Sequence, residues 1–205
     1  MGIRIVLGRR SALLCSQELR YPFTSIMLGR LQISPYDPGW VLEFEAERDR
    51  IAGALGKLAQ RIEHNGSTAV LGLEAKPIID IQVSVEQLLP IQAYAMPLAT
   101  LGYVHVPHGD DAFCPFFHRP SEWPHTHHVH VVQAGGEEER RTLAFRDFLR
   151  EHSEVAREYA TLKKQLASAA DATDASAREE YATAKSEFVE RVVQIALASG
   201  YPRGL

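Results

Sequence analysis

A chain of 205 residues, 45% hydrophobic and 23% charged, has the composition of an ordinary globular protein and the length to bury a real core. Its 22 basic against 26 acidic side chains, a net charge of −4, exclude the broad basic field that duplex nucleic acid demands. Two cysteines, Cys15 and Cys114, cannot build a disulfide framework, and no apolar run approaches the ~18 residues of a membrane span, so a reducing cytoplasm is the expected location.

Residues 1–30 are expected to form a poorly ordered extension. Arg9 and Arg10 interrupt their short apolar stretch, so no signal-peptide core remains. From Gln32 the pattern becomes regular. "LQISPYDPGW" reads as a short strand ending in a Pro-Tyr-Asp-Pro-Gly turn, with Trp40 a packing anchor. Leu42, Ala46, Ile51, Leu55 and Leu58 then recur at helical spacing. A strand is expected over Arg61–His64, broken by Gly66, and Ser67 reads as the N-cap of a short helix through Leu73.

"KPIIDIQVSV" is the strongest strand signal. Ile79, Ile81, Val83 and Val85 alternate with Asp80, Gln82 and Ser84, one face apolar and the other polar. A helix is predicted around 86–101, then short strands at 103–106, 114–119 and 127–132. The last strand alternates too, with His128 and His130 on one face. After Gly135-Gly136 three helices are expected. Leu143, Phe145, Phe148 and Leu149 mark the first; Val155, Tyr159, Leu162 and Leu166 the second, with Ser153 as its N-cap; Tyr181, Phe188, Val192 and Ile195 the third. The second and third echo each other as "YATLK" at 159–163 and "YATAK" at 181–185. The expected division is the extension at 1–30, a mixed domain at 31–150 and a helical segment at 151–205 packed on it.

The chemistry concentrates in "IEHNGSTAVLGLEAKPIIDI", residues 62–81. It is not a Walker loop, because Gly66 and Gly72 are too far apart and Leu73 stands where the lysine belongs. It lacks the third glycine of a dinucleotide fingerprint. What remains is a Gly-Ser junction between strand and helix, followed by a carboxylate on the next strand. Gly66 lets a ligand approach the backbone, Ser67 and Thr68 add hydroxyls, and free N–H groups attract an anion. Asp80 could hold a divalent cation bridging to phosphates, with Lys76 supplying a nearby charge.

This order of residues resembles the nucleotidyltransferase superfamily. At finer grain the chain resembles the GrpB family from Ile33 to Ala196, through "YDPGW" at 36–40, "IEHNGSTAV", "AKPIIDI", "HHVHVV" at 127–132 and "LAFRDFLREH" at 143–152. The family's central motif usually reads His-Ile-Gly-Ser-Thr-Ala-Val-Pro-Gly-Leu; here Asn65 and Leu71 depart from it. The resemblance implies an α+β fold: a nucleotidyltransferase-like mixed sheet with helices on one face, plus C-terminal helices. It also implies nucleotidyl transfer from a nucleoside triphosphate, with Gln82 where the superfamily places a second carboxylate.

The candidate catalytic residues are therefore Asp80, Lys76 and Glu63, the last as a replacement carboxylate. Gly66, Ser67, Thr68, Lys76, Arg146, Lys163 and Lys185 are candidates for holding a nucleotide or phosphate. Asp80, His128 and His130 form a candidate metal set. Mg²⁺ or another divalent cation is the expected cofactor, with zinc the lesser alternative. The expected partner is a small-molecule nucleotide or phosphate ligand, with no duplex nucleic acid and no membrane. Two other readings stand beside transfer: a binding or regulatory module lacking the catalytic pair, and a single-metal hydrolase.

Overall fold

The computed structural model describes residues 33–170 and 175–205, and side chains outside 166–184. The expected extension at 1–30, Leu166 and the Tyr181 repeat position lie outside the described side chains.

Five strands form one mixed sheet in the order β1-β2-β5-β4-β3. They are β1 (Ala59–Asn65), β2 (Ile79–Val85), β3 (Val104–His105), β4 (Phe116–Arg119) and β5 (His127–Gln133). β1 runs antiparallel to β2, β2 parallel to β5, and β4 antiparallel to both β5 and β3. Among the described residues there are five α-helices: α1 (Gly39–Leu55), α2 (Gln92–Thr100), α3 (Glu137–Glu151), α4 (Ser153–Ala170) and α5 (Ala175–Ala198). The α+β class with a mixed sheet is thus what the structure shows.

The α1 stripe is Trp40, Phe44, Ile51 and Leu55, all buried against Ile79, Ile81, Val83, Val129 and Val131 of the sheet. Tyr94 and Leu98 of α2 close the same core. Each such side chain contributes about 1.5–3 kcal/mol by leaving water. Glu47 falls within the α1 stripe and is buried, because Tyr103 donates its hydroxyl to it and Arg50 and Arg119 pair with it.

A second core joins the C-terminal helices to the loop before β2. Val70 and Leu73 pack with Phe148 and Leu149 of α3, Tyr159 of α4, and Phe188, Val192 and Ala196 of α5. Helix α3 also lies on the polar face of the sheet. Its Thr142 donates to Gln82, and its Glu139 binds Arg61 and Ser84.

Several local expectations shift. The strand expected before Trp40 reduces to a single bridge between Ser34 and Ala75, and Trp40 belongs to α1. The helix expected at 86–101 begins only at Gln92. Ile195 is half-exposed, and Val189 and Val193 fill the α5 core positions instead. Among the described residues, no helix is long and apolar enough to cross a membrane.

Candidate functional site

The sheet register builds two polar rows on the face opposite α1. Asn65, Asp80, His128 and His118 align across β1, β2, β5 and β4. One step along, Glu63, Gln82, His130 and Phe116 align in the same way. Residues directly opposite in a sheet share a face, so these side chains meet. Helix α3 covers the Gln82 end. The Asp80 end stays open, with 28% of the Asp80 side chain exposed.

Above Asp80 sits the turn that follows β1. Gly66 has φ +67°, a left-handed backbone that favours glycine. A Cβ there would stand 2.8 Å from Asp80 Cβ and nearer still to the carboxylate. The glycine is required by close approach as well as by conformation. Ser67–Ala69 make a single 3-10 turn, whose Ser67 carbonyl receives the Val70 amide. The helix expected through Leu73 stops here, because Thr68 is drawn into the protein. Its hydroxyl proton goes to the Ile78 carbonyl at 3.2 Å, so it accepts the 3.0 Å hydrogen bond from His64 Nε2. His64 stacks on Phe44 at 4.7 Å; burial lowers its pKa to about 4 against the opposing pull of Asp80.

Asp80 Oδ1 lies 3.2 Å from His128 Nδ1 and 3.7 Å from His130 Nε2. Burial alone would raise this carboxyl, but the two imidazoles outweigh it and hold it well below the usual carboxylate range. Asp80 is therefore an anion at neutral pH. One donor atom from each of Asp80, His128 and His130 lies within 4.8 Å of the others, a set suited to a divalent cation.

Behind this set the histidines continue. His125 Nδ1 meets His128 Nε2 at 3.2 Å, and the His125 ring stacks on His118 at 3.9 Å. His118 Nδ1 donates to the Pro120 carbonyl at 2.8 Å. Burial, with His118 and His128 adding to it, lowers His125 to about 4.

The other expected site residues are distributed as follows. Lys76 is half-buried in the loop leading to β2. Glu63 is on the Asp80 face, but its carboxylate receives Arg146 Nη1 at 2.7 Å. Arg146 is buried and also donates to Asp147 and to the His64 carbonyl at 3.0 Å, so it ties α3 to β1. Lys163 is buried; its Nζ donates to the Glu74 carbonyl at 2.6 Å and lies 5.0 Å over the Tyr159 ring. Lys185 is buried on α5. Lys163 thus ties α4 to the loop before β2, and neither lysine side chain is exposed. Gln82 is fully buried and receives Asn65 Nδ2 at 3.1 Å as well as Thr142.

The sequence suggests for Arg150 only an ordinary pair with Asp147, which forms at 3.5 Å, and for His125 no role. Arg150 Nε donates to the Ala69 carbonyl at 2.9 Å, gripping the Gly-Ser turn from α3. It lies one helical turn from Arg146, a spacing that signals a shared face. The signal for His125 is its place three residues before His128.

The GrpB protein family model matches residues 30–194. A UPF0157 protein of Pseudomonas aeruginosa is 40% identical over 173 residues, covering 83% of this chain and 69% of that protein. The crystal structure of the conserved protein GrpB from Enterococcus faecalis matches with a TM-score of 0.70 and 34% identity, over 82% of this chain and 98% of that one. A dephospho-CoA kinase of Mycobacterium tuberculosis is 40% identical over 80 residues, 38% of this chain and 20% of that protein. With its central motif, its sheet and most of its length matched in this way, the chain belongs to the GrpB family.

Proposed function

We propose that this protein binds a nucleotide or related phosphate ligand, together with a divalent cation, where the Gly66–Ser67 turn meets Asp80. The observation that carries the reading is the contact of Gly66 with Asp80. A bare carboxylate beside the turn repels a phosphate. A cation on Asp80, His128 and His130 reverses that sign and leaves room for phosphate oxygens as further ligands. Ser67 is half-buried at the start of the turn, and Lys76 lies in the following loop. In the catalytic form of this reading, an acceptor oxygen bonds to the α-phosphorus and pyrophosphate leaves. Bound cation would stabilise the charge developing there.

The burial of Gln82 favours a second reading, a nucleotide-binding or regulatory module without transfer. The superfamily's second carboxylate position is here packed under α3 and held by Thr142 and Asn65. The partial match to a dephospho-CoA kinase fits either form.

The test is calorimetric titration with nucleoside triphosphates, with and without a divalent cation, followed by assay for released pyrophosphate. Cation-dependent binding that is lost in Asp80→Asn supports the reading. Pyrophosphate release separates transferase from module. Equal binding without cation, or in Asp80→Asn, overturns it.

A further inference from the structure

The geometry points to a specific ion class: Asp80 Oδ1, His128 Nδ1 and His130 Nε2 form a three-ligand site for a transition-metal ion of the Zn²⁺ type, oriented by His125 from behind. This deepens the reading above, since it uses the same hollow, but it concerns the protein alone and requires no phosphate ligand.

Three observations carry it. The first is donor chemistry. Mg²⁺ prefers oxygen ligands in octahedral order, and Gln82 and Ser84, the other polar groups on this face of β2, are bonded to Thr142 and Glu139 of α3. Two imidazoles and one carboxylate are a set that Zn²⁺, Mn²⁺ or Fe²⁺ accept.

The second is spacing. Metal–ligand bonds of about 2.0–2.1 Å set tetrahedrally place neighbouring ligand atoms about 3.3 Å apart. The carboxylate oxygen stands 3.2 Å from one imidazole nitrogen and 3.7 Å from the other. The carboxylate therefore already stands near the required spacing from each imidazole, and all three donor atoms lie within 4.8 Å of one another. Asp80 is 28% exposed and the two histidine side chains 11% and 12%, so a fourth position faces the opening. Three protein ligands with one open position is the arrangement of a reactive site and differs from a closed structural one.

The third is the group behind His128. A metal-bound histidine holds its second nitrogen on a hydrogen-bond partner that sets the ring's orientation. His128 Nε2 lies 3.2 Å from His125 Nδ1. His125 is itself fixed by its stack on His118, and His118 by its bond to Pro120. The distances allow two neutral tautomers. With hydrogen on His125 Nδ1, His128 Nδ1–H donates to Asp80. With hydrogen on His128 Nε2, the Nδ1 lone pair faces the carboxylate, an arrangement that a cation between them makes favourable. A cation at the site would select this second pair, with hydrogen on Nε2 of both His128 and His125.

The experiment uses the full chain, stripped with chelator and free of nucleotide, titrated separately with Zn²⁺, Mn²⁺ and Mg²⁺ in a calorimeter. Co²⁺ serves as a spectroscopic probe. One equivalent of Zn²⁺ is expected to bind, with a rise in Tm, while millimolar Mg²⁺ leaves Tm unmoved. Asp80→Asn and His130→Gln keep side-chain volume, and each is expected to abolish stoichiometric uptake while retaining a cooperative melt. His125→Ala is expected to keep the stoichiometry and weaken affinity 10–100-fold, approximately the cost of losing an orienting partner. The inference is overturned by Zn²⁺ uptake that persists unchanged in both ligand variants, by preferential Mg²⁺ binding, or by no uptake at all. Zn²⁺ uptake without phosphate binding upholds this site and removes the nucleotide reading. Phosphate binding with Mg²⁺ and no Zn²⁺ uptake does the reverse.

Discussion

Thr142 of α3 donates its hydroxyl to the side-chain oxygen of Gln82, fully buried on the sheet beneath it. That bond, with the one from Asn65 Nδ2, explains why position 82 does not face the cleft although it shares a strand face with Asp80. Gln82→Glu therefore should not restore a second metal carboxylate. It would place a charge under α3 with few donors, and such burial raises a carboxyl's pKa. We expect a loss of about 1–3 kcal/mol at neutral pH by urea unfolding. The raised pKa means the folded form takes up the proton more readily, so the loss should shrink as pH falls towards the ordinary Glu value. A variant as stable as wild type that also gains Mg²⁺ affinity would show the position open to the cleft.

Gly66→Ala tests the contact over Asp80 directly. The left-handed backbone alone costs about 1–2 kcal/mol for a residue with a Cβ, and here the new atom also overlaps Asp80. A total of about 2–4 kcal/mol is expected. In an Asp80→Ala background the cost should fall, since the carboxylate is gone, yet not vanish, since Cβ meets Cβ at 2.8 Å. Strictly additive losses in the double mutant would show that the two positions do not touch.

The parts of this molecule that were legible in the sequence are those written in local periodicity. The two-residue alternation of Ile79–Val85 gave β2 its faces, and Ile51 with Leu55 marked the buried side of α1. The alternation of 127–132 also foretold that His128 and His130 share a face. Their meeting with Asp80 depends on parallel pairing across 48 residues, which no local pattern encodes. Thr68 read as a ligand hydroxyl because nothing nearby in sequence announces its bond to Ile78, ten residues on. Glu63 and Arg146 lie 83 residues apart and find each other only once α3 lies across β1. Lys163 read as a phosphate-binding charge, but the loop carbonyl of Glu74 receives its ammonium inside the protein.

Glu139 is the strongest link between α3 and the sheet. It is fully buried, receives Arg61 Nε at 3.0 Å and Arg61 Nη2 at 2.7 Å on each of its two oxygens, and also receives Ser84 and the Gly135 amide. Arg61 is 38% exposed, so the two partners are not equivalent. Glu139→Gln leaves an arginine that can turn to water, whereas Arg61→Met strands a buried anion. Urea unfolding at pH 7 should give a loss of about 1–2 kcal/mol for the first and about 3 kcal/mol or more for the second. The reverse order would mean that Ser84 and the Gly135 amide suffice to hold the charge.

Acid should weaken this protein well above the range where carboxylates titrate. His64 and His127 are both buried, and burial brings each to about 4, with Arg119 adding to the effect at His127. The unfolded chain protonates these rings near their ordinary value of about 6.5. Between the two values the unfolded state binds more protons, so stability is complete above about pH 6.5 and falls as pH drops towards 4. Each ring accounts for a change on the order of 1–3 kcal/mol across that window. Unfolding free energy measured at pH 7.5, 6 and 5 should decline steadily. His64→Phe, which keeps the stack on Phe44 but cannot take a proton, should flatten the slope while costing the bond to Thr68. A wild-type stability that stays level from pH 7.5 to 5 would show that the two rings carry their protons inside the fold.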